Sequence, residues 1–211
     1  MNYKTIEGSA EARFIEKKSE FIGYIRHTAT EQEALDFIAG IRAMHRKATH
    51  NCYAYILREN NLSRHSDDGE PGGTAGVPIY EVLRKEGLTD VTCVVTRYFG
   101  GILLGAGGLV RAYTKGAKEA CDAAKTLDMR TAAQLELHLD YTFYGKIGRT
   151  LGSYDVRVEN EEFGADVTIT LFIPVENETA FTSELTDICG GNINVQKLCE
   201  TEFNFSKNDE N

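Results

Sequence analysis

The sequence has no long uninterrupted hydrophobic run. Its longest uncharged stretch, residues 98–110, contains five glycines and is well short of the roughly 20 apolar residues that span a bilayer. The first residues of the chain also lack the apolar segment that a signal peptide needs. We therefore expect a soluble, cytoplasmic protein with no membrane partner.

Cysteine is scarce and irregularly spaced. The chain has five cysteines, an odd number, and no two of them form a C-x-x-C pair. This pattern excludes a disulfide framework and a structural zinc site. No other spacing of histidine, cysteine and acidic residues is specific for a metal. The sequence predicts neither a bound metal nor a cofactor.

Charge is distributed unevenly along an otherwise ordinary globular composition. Of the 211 residues, 42% are hydrophobic and 26% charged, and the formal net charge is -9. Residues 1–130 carry 18 basic and 17 acidic side chains, whereas residues 131–211 carry 5 and 15. The first part can therefore present a local basic face, while the acidic second part is a poor ligand for phosphate backbones.

The first part alternates between strand and helix patterns. Half-buried strands are predicted within residues 12–28, and the sequence "TEQE" predicts a helix with Thr30 as its N-cap and Glu33 reaching back. The core-facing side of that helix includes Met44. Further strands are predicted at residues 51–57 and 90–99, and further helices at residues 77–86 and 109–125.

The second part follows the order β-α-β-β-α-β, which is typical of ferredoxin-like domains. Strands are predicted at residues 133–140, 155–158, 166–173 and 194–203, and helices at residues 144–151 and 179–188. The fold class is therefore α+β. We expect one domain over residues 1–130, a second over residues 131–205 and a polar tail over residues 206–211.

Three carboxylates and four glycines crowd the stretch "SDDGEPGGTAG", which begins at Ser66. It lacks the ligand spacing of a calcium loop and the lysine of a phosphate-binding loop. Two interpretations stay open. Asp67, Asp68 or Glu70 could serve as a catalytic acid and base, or the stretch could be a rigid turn whose glycines supply unusual backbone conformations. In the rigid turn we expect one of these three carboxylates to pair with Arg97 or Arg111.

A second glycine cluster is better suited to anions. Gly105, Gly107 and Gly108 precede the predicted helix at residues 109–125, and the free N–H groups of a helix N-terminus attract negative charge. The basic side chains in this region are Arg97, Arg111, Lys115 and Lys118. The alternative is a solvated helix face beside a tight turn. "GAGGLV" is not a dinucleotide fingerprint, because Val110 replaces its last glycine.

The sequence "MHRKATHNCYAY" gathers a third group of candidate residues. His50 and Cys52 could share one face of a strand, as a Cys–His nucleophile requires, but no orienting acid lies nearby in the sequence. A structural role for this pair is the alternative. Arg46 and Lys47 could add to a surface that contacts phosphates.

The combination of two long motifs, in order and at a fixed separation, resembles the Impact family over about residues 17–124. The motifs are "SDDGEPGGTAGVPIYEVL" and "VVTRYFGGILLGAGGLVRAYTKGA", and the two-part layout is similar to the bacterial YigZ-type branch. One departure is Gly72-Gly73, where the family often has Ser-Gly, which removes a potential hydroxyl ligand. The motif residues are Asp67, Asp68, Gly69, Glu70, Pro71, Gly73, Thr74, Ala75 and Gly76 in the first, and Tyr98, Phe99, Gly100 and Gly101 in the second.

The resemblance implies a fold for each domain. The first would share the fold of a ribosomal small-subunit protein and of domain IV of elongation factor G, with a left-handed βαβ crossover that departs from the usual rule. The second would be like domains III and V of that factor. The resemblance gives no catalytic residue, and fold analogy alone does not fix function.

Three functional hypotheses follow, in this order. The first is a non-enzymatic, translation-associated protein that binds RNA or the ribosome through the basic, glycine-rich surface of the first domain, with a role in translation under stress. The second is a regulator that binds a protein partner, as eukaryotic members of the family do, although we expect their additional N-terminal domain to be absent here. The third is an enzyme on a phosphorylated or peptide-like small molecule, using Asp67, Asp68 or Glu70.

Overall fold

The computed structural model describes residues 2–206. The chain divides into two compact units, which are residues 3–127 (the N-terminal unit) and residues 128–206 together with Asn2 (the C-terminal unit). Within the described residues, no helix combines the length and the apolar composition needed to cross a membrane. Strands and helices are mixed in both units, so the α+β prediction is confirmed.

The N-terminal unit is built on an antiparallel sheet with the strand order β2-β3-β6-β4-β5. Its strands and helices are, in chain order, β1 (Tyr3–Ile6), β2 (Ser9–Glu16), β3 (Ser19–His27), α1 (Glu31–Met44), β4 (His50–Leu57), β5 (Leu62–Ser66), α2 (Gly76–Lys85), β6 (Val91–Tyr98) and α3 (Ala106–Ala123).

The central strand β6 is covered on both faces. Seven of its eight residues are buried, because alternate side chains of a strand point to opposite faces. Cys93 and Val95 pack into the core formed with α2 and α3. Val94 packs into the core formed with α1. Both layers therefore fix the end of β6 at which Arg97 and Tyr98 lie.

The predicted cap of α1 is present with one difference. The hydroxyl of Thr30 accepts a hydrogen bond from the Glu33 N–H at 3.3 Å. The Glu33 carboxylate, however, accepts from the N–H of Ala29 at 2.7 Å, one residue before the N-cap. Met44 was predicted to face the core, which is wrong, since it lies in the last turn of the helix and is 68% exposed.

Helix α3 begins three residues earlier than predicted. Its first residue is Ala106, and Gly105 is the N-cap with a φ of 71°, a left-handed conformation that glycine adopts without strain. Gly107 and Gly108 therefore lie inside the first turn and do not precede the helix. The sequence pattern missed this start because glycine is a weak helix former.

The C-terminal unit has the strand order β10-β7-β9-β8 with every pair antiparallel, which is the ferredoxin-like arrangement expected from β-α-β-β-α-β. Its buried cluster lies between the sheet and the two helices. The elements are β7 (Thr126–Leu139), α4 (Tyr141–Ser153), β8 (Arg157–Phe163), β9 (Val167–Pro174), α5 (Val175–Ile188) and β10 (Ile193–Asn204).

The predicted polar tail, residues 206–211, falls mostly outside the described residues. Only Ser206 is described, and its hydroxyl accepts a hydrogen bond from the Asp128 N–H at 2.8 Å. The preceding Phe205 is 2% exposed. The chain up to Ser206 therefore belongs to the packed C-terminal unit.

Candidate functional site

Two loops of the N-terminal unit meet at a pocket of about 420 Å³. The first, the carboxylate loop, is residues 67–75 between β5 and α2. The second, the glycine loop, is residues 99–105 between β6 and α3. The pocket is lined by Thr49, His50, Gly69, Glu70, Pro71, Arg97, Phe99, Leu103, Leu104, Gly105, Ala106 and Leu109. The structure thus brings together residues of both glycine-rich motifs.

Asp67 holds the carboxylate loop in place. Its Oδ1 accepts hydrogen bonds from the N–H groups of Ala75 and Gly76 at 3.0 and 2.8 Å, and its Oδ2 accepts from that of Gly73 at 2.9 Å. Burial alone would raise the pKa of Asp67, but the three N–H donors outweigh it and lower the pKa. Asp67 therefore satisfies the start of α2 as an ionised group, and both of its oxygens are occupied.

Asp68 ties the same loop to two other elements. Its Oδ2 accepts from the Asn51 N–H at 2.7 Å, and its Oδ1 accepts from Nη2 of Arg42 at 2.6 Å. The backbone of Asp68 has a φ of 45°, a conformation that aspartate tolerates better than most residues. Asp68 is thus engaged with β4 and α1, which leaves Glu70 as the carboxylate that lines the pocket.

Glu70 lies at the floor of the pocket in a buried ion pair with Arg97. Its Oε1 accepts from Nη1 of Arg97 at 2.6 Å and from the hydroxyl of Tyr113 at 2.8 Å. The side chains of Glu70 and Arg97 are 3% and 6% exposed. Burial, followed by the nearby Cys52 and Glu70, raises the pKa of Tyr113 far above its ordinary value, so Tyr113 acts as a neutral hydroxyl donor.

Arg97 is held by few other polar groups. Its Nη2 lies 3.5 Å from Oγ of Ser19, and its guanidinium lies 5.5 and 5.4 Å from the ring centres of Phe21 and Phe99. Its Nε–H has no hydrogen-bond partner within residues 2–206. Arg97 was predicted to belong to an anion-binding surface and to be a partner for one of the three carboxylates. In the structure it lies in the pocket floor and pairs with Glu70.

His50 faces the ion pair from β4. Its Nδ1 lies 2.8 Å from the carbonyl oxygen of Asp68, and because a carbonyl oxygen only accepts, Nδ1 carries the proton. The other ring nitrogen, Nε2, lies 3.8 Å from Oε1 of Glu70. The tautomer is therefore fixed by the backbone of the carboxylate loop.

Cys52 does not supply the nucleophile of the Cys–His hypothesis. Its Sγ donates to the carbonyl oxygen of Asp67 at 2.9 Å, and the residue is fully buried. Burial raises the pKa of the Cys52 thiol to about 12. A thiol with this pKa is protonated at neutral pH, and only the thiolate is a good nucleophile. Cys52 thus has a structural role.

The glycine loop packs tightly against the turn between β2 and β3. A Cβ added at Gly100 would fall on the backbone of Lys18, and the Gly100 N–H donates to Oγ of Ser19 at 3.2 Å. Lys17 and Lys18 form this turn with φ angles of 46° and 64°, and both are exposed. The close approach fixes two lysines beside the glycine loop.

A second, smaller pocket of about 200 Å³ shares Leu104 with the first. Its charged lining residues are the basic Lys17, Arg111 and Lys115 and the acidic Glu16. Lys115 also lies 4.4 Å from the ring centre of Phe14 and 3.6 Å from Glu119. These cations lie beside the first turn of α3, whose N-cap Gly105 provides no side-chain cap.

The remaining predicted basic residues occupy different positions. Lys118 forms ion pairs with Asp122 and, at 3.4 Å, with Glu86, so its charge is locally balanced. Arg46 and Lys47 are exposed in the turn after α1, close in sequence to Thr49, which lines the larger pocket.

Sequence reasoning missed several residues of the site. Tyr113 was not among the predicted site residues, yet its hydroxyl donates a hydrogen bond to Glu70. Lys17, Lys18 and Ser19 were not among them either. The dipeptide Lys17-Lys18 between two alternating strands was the available signal, since a hairpin turn exposes its side chains.

The chain matches two family models. Residues 17–121 match the Impact N-terminal domain, and residues 137–192 match a domain of unknown function, DUF1949. A Bacillus subtilis protein, IMPACT family member YvyE, is 38% identical over 93% of this chain and 91% of its own. The Escherichia coli IMPACT family member YigZ is 35% identical over 87% of this chain and 92% of its own.

A solved structure agrees with these matches. A crystal structure described as that of "an hypothetical protein" has a TM-score of 0.59 and 31% sequence identity, over 94% of this chain and 98% of the other. The relatives and the family models therefore cover both units, and the chain belongs to the Impact family.

Proposed function

We propose that this protein binds RNA, free or within the ribosome, through the N-terminal unit, and that it acts in translation without catalysing a reaction. The observation that carries the proposal is the N-terminus of α3, which its N-cap Gly105 leaves without a side-chain cap, beside basic side chains of which Lys115 alone has an ion-pair partner, the exposed Glu119, among the described residues. We call this area the basic surface and define it as Lys17, Lys18, Arg111, Lys115 and the first turn of α3.

The electrostatics of the basic surface suit a phosphate backbone. The first N–H groups of a helix have no intrahelical acceptor, and the helix dipole adds roughly half a positive charge there. Arg111 forms no ion pair among the described residues, and Lys115 has only the exposed partner Glu119. Surface ion pairs of this kind contribute little, so both side chains can exchange their local contacts for phosphate oxygens.

The rim of the larger pocket adds an aromatic group to the basic surface. Phe99 is 46% exposed, and bases of single-stranded RNA stack on exposed aromatic side chains. The combination of cations, helix N-terminus and exposed ring favours a single strand over a duplex, whose bases are already stacked. The resemblance to translation-factor domains points to the same class of partner, as an analogy of fold.

The proposal can be tested by the salt dependence of RNA binding. The affinity for a labelled single-stranded RNA should fall with salt at a log-log slope of roughly -0.7 for each phosphate neutralised. Arg111→Glu combined with Lys115→Glu should reduce both the affinity and the slope. Lys4→Glu combined with Lys85→Glu is a matched control, because both of these lysines are exposed and the total charge change is the same.

Two results would count against the proposal. One is affinity that does not change with salt, and the other is a loss in the Lys4 and Lys85 control that equals the loss in the Arg111 and Lys115 variant. Sedimentation of cell lysate extends the test to the ribosome, since the protein should travel with ribosomes at low salt and leave them at high salt. Recovery with a protein partner and no RNA would favour the interaction hypothesis.

A further inference from the structure

The larger pocket contains polar atoms without partners. Among residues 2–206, Nε of Arg97 donates no hydrogen bond, Oε2 of Glu70 accepts none, and Nε2 of His50 makes none. The side chains of Arg97 and Glu70 are more than nine-tenths buried, and buried polar groups in native proteins are usually satisfied. All three residues line the same pocket.

The free polar atoms of this group specify what could pair with them. Oε2 of Glu70 only accepts hydrogen bonds, and Nε–H of Arg97 only donates one. A ligand satisfies both atoms when it presents an amino group beside a hydrogen-bond acceptor, and the ring of His50 lies at the same floor, 3.8 Å from Oε1 of Glu70. The floor of the pocket therefore favours a ligand with an amino group.

The other end of the pocket favours a negatively charged group. Gly105 and Ala106 line it and form the uncapped start of α3, where an anion is stabilised. Between the two ends, Phe99 and the 82% exposed Leu103 provide an apolar rim. A volume of about 420 Å³ lies within the usual range for small-ligand pockets. The pocket thus combines a floor with a free carboxylate oxygen and a free guanidinium N–H, an aromatic wall and an anion site.

We propose that this pocket binds one unpaired nucleotide, whose base carries an exocyclic amino group that donates to Glu70 and whose phosphate lies at the N-terminus of α3. The inference rests on the proposed function when that nucleotide belongs to an RNA strand. Carboxylates accept hydrogen bonds from the cytosine N4 amino group. Uracil has a carbonyl oxygen at that position, which would face Oε2 of Glu70 as a second acceptor. The pocket therefore distinguishes cytosine from uracil.

The test compares two ligands that differ little except in this group. Binding of 5′-labelled ten-nucleotide C-only and U-only RNA is measured by fluorescence anisotropy with the unaltered protein. The C-only strand should bind about tenfold more tightly, since one matched base contact is worth roughly that much. Arg111→Glu combined with Lys115→Glu should weaken both strands and leave the ratio unchanged, because those side chains contact phosphates.

Glu70→Gln probes the floor directly. Glutamine presents an amide donor that can pair with the uracil carbonyl, so the preference for cytosine should fall to one or reverse. Thermal unfolding shows whether this variant is folded. If it is not, competition by free CMP and free UMP against the labelled C-only strand on the unaltered protein replaces it, and CMP should compete about tenfold better.

Each outcome separates the two proposals. Equal, salt-dependent affinity for the two strands overturns the nucleotide pocket and leaves the basic surface intact. Absence of binding to either strand at low salt overturns the proposed function. CMP that binds as tightly as the C-only strand assigns the pocket to a free nucleotide and overturns its role in RNA binding.

Discussion

Removing either partner of the ion pair between Glu70 and Arg97 should destabilise the N-terminal unit, and removing Glu70 should cost more than removing Arg97. Glu70→Leu leaves the guanidinium of Arg97 buried with only a marginal contact to Ser19 at 3.5 Å, and a guanidinium cannot lose its proton. Removing one partner of a buried pair typically costs 3–5 kcal/mol. We expect a loss of about 4 kcal/mol in the free energy of unfolding of the N-terminal unit.

Arg97→Met should cost less than Glu70→Leu. The Glu70 carboxylate would keep the hydrogen bond from the Tyr113 hydroxyl at 2.8 Å and would still face the ring of His50 at 3.8 Å. We expect a loss of about 3 kcal/mol, at the lower end of the range for a broken buried pair. In the double variant neither charge is buried, and two apolar side chains of similar volume fill the space. Its loss should be within about 1 kcal/mol of zero.

The assay is a double-mutant cycle read by hydrogen exchange of β6. Amides of Val94 and Val95, which are 0% exposed, report opening of the N-terminal unit, and β9 of the C-terminal unit serves as an internal reference. The predicted coupling free energy is about 7 kcal/mol, the difference between the summed single losses and a double loss near zero. Additive losses, with a double variant as unstable as the two singles combined, would refute the reasoning.

Three further predictions concern the surroundings of the pocket. Gly100→Ala forces a Cβ into the backbone of the β2–β3 turn, so the melting temperature should fall by several degrees. Gly40→Ala is the control, because its Cβ meets no atom within 4 Å, and it should raise the free energy of unfolding by up to about 1 kcal/mol. Asp67→Asn should lower stability by about 1–2 kcal/mol at neutral pH. The pKa of Asp67 is lowered in the folded state. The stability that its charge contributes is therefore present above the ordinary aspartate pKa and is lost as the pH falls through the folded-state pKa. Urea titrations of the unaltered protein and of Asp67→Asn should accordingly converge in acid. A thiol reagent at pH 8 should label the exposed Cys199 in the native protein and leave the buried Cys52 unreacted. In denaturant all five cysteines should react. Fast labelling of Cys52 in the native protein would contradict its burial.

The sequence predicted the main elements because their patterns are local. The apolar run of β6 and the heptad-like spacing of α1 depend on residues that follow one another, and both elements are present. β5 was missed, since "LSRHS" contains only one apolar residue and pairs with β4 through its backbone. The start of α3 was missed because tertiary packing stabilises a first turn that glycine disfavours.

The site was predictable in outline but not in its assignments. Arginine near a crowd of carboxylates indicates an ion pair, and one is present between the two glycine-rich motifs. Three carboxylates at residues 67, 68 and 70 look equivalent in a sequence, however. The turn directs Asp67 to the N–H groups of α2 and Asp68 to β4, so that only Glu70 reaches Arg97. The backbone conformation of the loop determines which carboxylate pairs with Arg97, and the pattern of residue types alone does not predict it.

The energetic cost of the ion pair is itself an argument for function. A buried charge pair is often no more stabilising than apolar residues of the same volume, and in this one Nε of Arg97 has no hydrogen-bond partner among residues 2–206. Polar groups that weaken a core and line a pocket are expected at binding sites. The double variant with leucine and methionine therefore separates the two roles of the pair. It should fold about as well as the unaltered protein, keep salt-dependent RNA binding through the basic surface, and lose the distinction between cytosine and uracil.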